Sequence, residues 1–287
     1  MTNLNFNASV DRLIETALEE DIGTGDITTA CCIPVGSTAY GRFLAKEEGV
    51  VCGLDVARRV FLRVDPNTKF TARKKDGDRV SLREIIAEVS GDADSLLTAE
   101  RVALNLMQRM SGIATRTAEA VKAVAGTHAR ICDTRKSTPG MRVLEKYAVR
   151  VGGGSNHRFN LADGILIKDN HIVAAGGITA AVRAAKANAP HTLKIEVETE
   201  NEEQIREALS AGADIIMLDN MTVPQMADAV RLIAGRAVTE ASGNMGDRDL
   251  AEVASTGVDL ISIGALTHSV RSLDISLKFK IEGSENL

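Results

Sequence analysis

The chain has 287 residues, 44% hydrophobic and 25% charged, the balance of a soluble globular protein long enough for one large or two ordinary domains. Its formal charge of −5, 3% aromatic content and lack of tryptophan argue against nucleic-acid binding, so any cluster of cations needs a specific cause. No apolar run approaches a membrane span, and Met1-Thr2-Asn3-Leu4-Asn5-Phe6 lacks the basic start and apolar core of a signal peptide, so a cytoplasmic protein is expected.

From Ser9 to Glu20, Val10, Leu13, Ile14, Ala17 and Leu18 recur at helical spacing. Glu20 to Thr29 reads as a turn-rich loop. Its Gly23-x-Gly25 lacks the third glycine of a dinucleotide fingerprint, and a tight turn is the expectation. Residues 39–89 hold strand-like runs such as Tyr40 to Ala45, and a turn at Asp76-Gly77-Asp78. Thr98 to Ser111 reads as a helix with Thr98 as N-cap. Cys31, Cys32, Cys52 and Cys132 show no paired metal-ligand spacing and are expected to be reduced. Asn7-Ala8-Ser9 and Asn220-Met221-Thr222 match the glycosylation sequon, which a cytosolic chain does not use.

A rhythm begins at residue 129. Short apolar runs cover 129–133, 164–167, 193–197, 215–218, 237–241 and 260–263, and helical patterns cover 117–125, 141–150, 177–188, 201–211, 223–234 and 247–255. The runs are dense in Ile, Val and Leu rather than alternating, as in parallel strands buried on both faces. After them come Arg135 and Lys136, then Lys168, Glu198, Asp219, Ser242 with Gly243, and Gly264, spaced by about 20 to 30 residues. In a (β/α) barrel, strand ends converge on the rim that carries the chemistry. A doubly wound open sheet has the same local rhythm and is the alternative. The domains expected are 1–115, 116–270 with an incomplete barrel, and a segment 271–287 packing back on the first.

Arg135 and Lys136 sit in Asp133-Thr134-Arg135-Lys136-Ser137-Thr138-Pro139-Gly140, between a strand and a helix. Arginine offers two parallel donors to a carboxylate or phosphate, and lysine a compact charge. Asn156-His157-Arg158 adds a titratable donor and a second guanidinium, and Lys168 directly follows a strand. An ion pair with a nearby carboxylate explains any one of these; together they imply an anionic ligand. His128 and His191 are read as structural. Glu198 and Asp219 each follow a strand and suit Mg²⁺ or a developing positive charge. Gly152-Gly153-Gly154 permits close backbone approach to a ligand or to another element, and both readings stay open. Ala241-Ser242-Gly243-Asn244 and Ile263-Gly264 to His268 offer backbone N–H groups to a phosphate.

Glu20–Thr29, Glu100–Thr115, Thr134–Tyr147, Gly152–Arg158, Leu166–His171, Lys194–Glu198, Met217–Asn220, Glu240–Asn244 and Gly257–Ser269 together resemble the quinolinate phosphoribosyltransferase family, in order and over nearly the whole chain. Ser137 and Met141 depart mildly, where Thr and Leu are common. The resemblance implies an α/β chain of the type II phosphoribosyltransferase class: an N-terminal α/β sandwich plus an incomplete (β/α) barrel. It implies transfer of phosphoribosyl from phosphoribosyl pyrophosphate to quinolinate with loss of CO2, giving nicotinate mononucleotide for NAD synthesis. By the family pattern Arg135, Lys136, His157, Arg158 and Lys168 grip the dicarboxylate and phosphates. Glu198 and Asp219 serve the ribose and Mg²⁺, Ser242, Gly243, Gly264 and His268 serve phosphate, and Arg101 reaches in from the partner of a homodimer, itself able to build a hexamer. Lys136, Lys168, Glu198 and Asp219 are the expected catalytic set.

Three rivals remain. One is a homologue shifted to another substrate, of the kind associated with molybdenum transport; the full cation set argues against it. Another is a small-ligand binder, in which Glu198 and Asp219 are spare. The third reads Asp76 to Val80 as part of a biotin- or lipoyl-like module, for which no lysine sits at a hairpin tip.

Overall fold

The computed structural model describes residues 8–281; the N-terminal hexapeptide, Asn7 of the first sequon and residues 282–287 lie outside them. The chain divides into two compact units. Among the described residues one comprises 8–118, 138–153 and 270–281, the other 119–137 and 154–269.

In the first unit, α1 (Ala8–Ile22) buries Val10, Ile14 and Leu18, the helical stripe read from sequence. The segment read as a loop from Glu20 to Thr29 is shorter than expected. Gly23 and Gly25, both at positive φ, make the turn, and a second helix, α2 (Ile27–Cys32), starts at once. Asp26 caps it, its carboxylate accepting from Thr29 N and held below the usual carboxylate range chiefly by the Thr29 hydroxyl.

Strands β1 (Thr38–Ala45), β3 (Lys69–Ala72), β5 (Ile85–Asp92) and β12 (Ile275–Ile281) form one antiparallel sheet in the order β12-β1-β5-β3. A separate two-stranded ladder joins β2 (Gly49–Val50) and β4 (Arg79–Val80). Helix α3 (Leu54–Val64) closes an aromatic core in which Phe43, Phe61 and Phe70 lie 5.8–6.2 Å apart, centroid to centroid.

Asp76, in the turn that the third rival reads as part of a biotin-like module, has a structural task. Its Oδ1 accepts from Gly53 N and Leu54 N at the start of α3, and its Oδ2 accepts from Tyr147 Oη.

Helix α4 spans Ala93–Ala123, so the helices read at 98–111 and 117–125 are one element. Thr98 is therefore interior rather than an N-cap. The capping interaction lies at Asp92, whose carboxylate accepts from Ser95 N and Oγ. The sequence signal is weak here because alanines and leucines continue on both sides of Thr98. Helix α5 (Arg142–Val151) completes the unit. Gly152 is a packing glycine: a Cβ there meets Ala114 O at 2.5 Å and Thr117 Cβ at 2.6 Å.

The second unit is a six-stranded parallel sheet. Its strands are β6 (Arg130–Cys132), β7 (Ile165–Ile167), β8 (Ile195–Thr199), β9 (Ile215–Asp219), β10 (Val238–Ser242) and β11 (Leu260–Ser262). Their order, β6-β11-β10-β9-β8-β7, decides between the two architectures. Each strand from β7 to β11 lies beside its successor, and the first pairs with the last. A doubly wound sheet reverses direction midway instead. The ladder is open between β6 and β7, which makes the barrel incomplete.

Helices α6 (Asp169–Ala175), α7 (Ile178–Asn188), α8 (Glu202–Ala211), α9 (Val223–Ile233), α10 (Leu250–Ser255) and α11 (Ala265–His268) connect the strands. Local chemistry fixes their ends. Asn201 caps α8 and Gly212 ends it at φ +78°, Thr222 and Gln225 form a capping box on α9, and Asp249 caps α10. No helix among the described residues is long and apolar enough to cross a membrane. All four cysteines are free, with Cys31 and Cys32 exposed and Cys52 and Cys132 buried.

Candidate active site

A cavity of about 580 Å³ opens at the C-terminal ends of the barrel strands. Arg135, Lys136, His157, Arg158, Lys168, Glu198, Asp219, Ser242, Gly243, Gly264 and His268 all line it. Arg101 lies on the exposed face of α4 in the first unit and is not among the lining residues.

The cationic side is built by loops tied to the sheet. Asp133, fully buried just past β6, accepts from His157 N at 2.9 Å and Asn156 Nδ2 at 2.6 Å. One carboxylate thus fixes the loop that presents His157 and Arg158. The Arg158 guanidinium donates to Gly164 O at 2.9 Å. Burial first, and then the neighbouring Arg135 charge, lower its pKa. Two guanidiniums that repel one another are pre-set to gain from an anion between them. The loop bearing Lys136 is tethered from above by Thr267 Oγ1, which donates to Lys136 O at 2.7 Å.

On the acidic side, the Glu198 carboxylate takes the Lys168 ammonium as its partner, and Asp219 Oδ2 accepts from Asn220 Nδ2. The ion pair that sequence reasoning held open therefore exists. Lys168 is half exposed, so the pair is open to solvent and free to exchange partners for a ligand.

The rim made by Ser242 to Asp247 needs small residues. Gly243 has φ +90°, and a Cβ there meets Asn220 Oδ1 at 2.2 Å and Asn220 N at 2.7 Å. At Gly264 a Cβ meets Lys136 Cδ at 3.0 Å and His268 Cδ2 at 3.1 Å. At both positions the absence of a side chain lets neighbouring cavity residues, Asn220 at one and Lys136 with His268 at the other, pack against the backbone.

Two residues were missed by the sequence reading. Glu196 and Glu240, 4% and 1% exposed, stand on β8 and β10 one layer below Glu198 and Ser242. His157 Nε2 lies 3.1 Å from Glu196 Oε2 and 3.6 Å from Glu240 Oε1. The signal was available: a glutamate inside a strand buried on both faces costs too much to be incidental. Whether such a glutamate faces the barrel interior or the helix layer depends on strand register.

Family models for the N-terminal and C-terminal domains of quinolinate phosphoribosyl transferase match residues 26–111 and 113–278. The chain belongs to the quinolinate phosphoribosyltransferase family. Among its relatives, it is 49% identical over 266 residues to the probable nicotinate-nucleotide pyrophosphorylase [carboxylating] of Bacillus subtilis, covering 93% of this chain and 92% of that one. With the chloroplastic nicotinate-nucleotide pyrophosphorylase [carboxylating] of Arabidopsis thaliana it shares 46% over 289 residues, 94% of this chain and 82% of the other. The crystal structure of NadC from Streptococcus pyogenes superposes with a TM-score of 0.89 at 45% identity, covering 95% and 96% of the two chains. The nicotinate-nucleotide pyrophosphorylase from Francisella tularensis gives 0.91 at 39% identity, covering 98% and 100%. In this family's terms the structure is a sandwich plus an incomplete barrel whose cavity gathers the quinolinate phosphoribosyltransferase motifs of β6 to β11.

Proposed function

We infer that this chain transfers phosphoribosyl from phosphoribosyl pyrophosphate to quinolinate and releases CO2, pyrophosphate and nicotinate mononucleotide, a step of NAD biosynthesis. The observation that carries the reading is the pairing of a cationic wall, Arg135, Lys136, Arg158 and Lys168, with a small-residue rim in one cavity of a net acidic protein. A dianionic acceptor and a polyphosphate donor together need such a wall. A phosphate-binding protein without an acceptor does not need both.

In this reading the guanidiniums of Arg135 and Arg158 take the pyridine carboxylates as forks, and Lys136 and Lys168 neutralise carboxylate and phosphate as point charges. Ser242, Gly243, Gly264 and His268 receive the phosphates, with His157 contributing to the acceptor side. Lys168 leaves Glu198 when an anion enters, which frees the carboxylate to face the ribose. The pyridine nitrogen then attacks the ribose carbon as pyrophosphate departs. Holding the two reactants in line contributes on the order of 7–11 kcal/mol in well-oriented cases. Glu198 and Asp219 offset the positive charge that develops on the ribose.

Mg²⁺ belongs to this proposal. Glu198 and Asp219 are the carboxylates that would hold it, an oxygen donor set that fits a hard cation arriving with a polyphosphate. When bound it neutralises the leaving group. A homodimer with Arg101 completing the partner's site, further assembly to a hexamer, and a cytoplasmic setting in keeping with four free cysteines are proposed with it.

The test is a product assay with purified protein, Mg²⁺ and phosphoribosyl pyrophosphate. Quinolinate is expected to give nicotinate mononucleotide, while nicotinate and nicotinamide give nothing. Silence with quinolinate, in folded protein that binds phosphoribosyl pyrophosphate, sends the reading to a substrate-shifted homologue.

A further inference from the structure

Glu240 has no task in the anion grip. It is 1% exposed, lines the cavity from the middle of β10, and its Oε1 has no hydrogen-bond partner. Groups from every neighbouring element face it. His157 Nε2 approaches from the loop held by Asp133, Glu196 from β8, Lys168 from the end of β7 and Ser262 from β11; its register partner on β9 is the uncharged Met217. Glu196 Oε1 is likewise buried without a partner.

One ligand atom from each of His157, Glu196 and Glu240 lies within 4.8 Å of the others, the spacing of a metal trio. The imidazole decides against a metal. Arg158 N donates to His157 Nδ1 at 2.8 Å, so Nδ1 is the acceptor and Nε2 carries the hydrogen. That nitrogen donates toward the carboxylates and is not a ligand. Two buried carboxylates then meet one imidazole N–H between them, with the Ser262 hydroxyl the further donor to Glu240. Both cannot stay ionised cheaply, and two buried negative charges would also oppose a dicarboxylate ligand above them. A proton satisfies all of these demands.

We propose that Glu240 stands in the resting enzyme as a carboxylic acid and delivers the proton that replaces the carboxylate lost from the substrate ring. The step rests on the function inferred above. Once the ring nitrogen carries ribose, the bond from the adjacent carbon to its carboxylate breaks. CO2 leaves and the electron pair stays on the carbon, stabilised by the quaternary nitrogen. That carbon forms its C–H bond with the proton of Glu240, whose carboxylate is left behind and takes a proton from solvent before the next turnover. Burial and the neighbouring Glu196 charge push the Glu240 pKa up to about 7, while His157, Ser262 and Lys168 act the other way, so the acid form is populated at neutral pH.

The experiment is a single turnover of the full chain with quinolinate and phosphoribosyl pyrophosphate, following pyrophosphate and nicotinate mononucleotide separately. Pyrophosphate release by the wild-type chain tests the inferred function; the proposal is read from the ratio of the two products in Glu240→Gln. This variant keeps the shape of the side chain and lacks the acid. It is expected to release pyrophosphate within an order of magnitude of wild type, to form nicotinate mononucleotide about 10²-fold or more slowly, and to accumulate a nucleotide retaining both carboxylates. Product keeping pace with pyrophosphate at the wild-type rate overturns the proposal. So does equal loss of both in folded protein with wild-type affinity for quinolinate.

The wild-type pH profile is a second, variant-free readout. Product formation should fall as pH rises through about 7 while pyrophosphate release does not. A product-forming limb that stays flat across that range also overturns it.

Discussion

Gly243 shows how little freedom a single position on the rim has. Its φ of +90° is costly for any L side chain, and a Cβ would strike Asn220 Oδ1 at 2.2 Å and also backbone, Asn220 N at 2.7 Å. Asn220 is itself left-handed at φ +53°, so neither partner yields easily. Gly243→Ala is expected to cost about 2 kcal/mol or more in stability and to raise the KM for phosphoribosyl pyrophosphate. Urea unfolding and steady-state kinetics check it. Unchanged values would mean the loop relaxes without touching the ligand. At this scale the sequence was generous where a residue type is chemically committed. Arg135, Lys168, Asp219 and Gly243 were readable because charge or glycine at the end of an apolar strand has few other uses. Glu196 and Glu240 were harder to see. Their identity stands in the strand, but whether they face the barrel interior or the helix layer depends on register, which no single strand discloses.

Among elements, α5 depends on one buried carboxylate. Glu145 is 1% exposed, accepts two bonds from the Arg109 guanidinium on α4, and accepts from Thr138 N at 3.0 Å. Arg109 also donates to Thr138 Oγ1. Glu145→Ala removes the acceptor and leaves a guanidinium and an amide facing a void. The loss expected is about 3 kcal/mol, with Arg109 a quarter exposed and therefore partly resolvated. Glu145→Gln keeps an acceptor oxygen and should lose less. Chemical denaturation of both variants decides, and equal losses would argue that volume rather than the hydrogen bonds matters. Helix starts were legible where a capping side chain announces them, as at Thr222 with Gln225. The start of α4 was not, because its capping carboxylate, Asp92, belongs to the end of β5 and reads as strand.

For the whole molecule, two expectations concern charge and assembly. Folding buries Glu240 with a pKa raised from 4.5 to about 7. The sign follows from the raised value: the folded state binds this proton more tightly than the unfolded one. Its contribution is fully present below about 4.5 and is lost as pH rises through about 7, an amount on the order of 3 kcal/mol. The stability of Glu240→Gln relative to wild type should therefore improve between pH 5 and pH 8. A constant difference in melting temperature across that range would remove the linkage. The second expectation concerns Arg101, whose exposure on α4 is what a residue serving another subunit requires. Mixing Arg101→Ala chains with Lys136→Ala chains should restore part of the activity that each lacks alone. No recovery after subunit exchange would count against a shared site. The strand rhythm foretold the order of the barrel. The three-part path of the first unit was harder to read, since residues 138–153 carry the same helical pattern as their neighbours.

The placement of β12 beside β1 has a consequence for how the protein is made. On a ribosome β1 and β5 emerge early, while the strand that covers the far edge of β1 follows the whole barrel. At about 5–20 residues per second that interval is on the order of ten seconds or more. Throughout it the nascent sheet offers a row of unpaired amides and carbonyls, a template for any extended chain nearby. The vulnerable period of this enzyme's life is thus its synthesis, and it closes when Ile275–Ile281 takes its place.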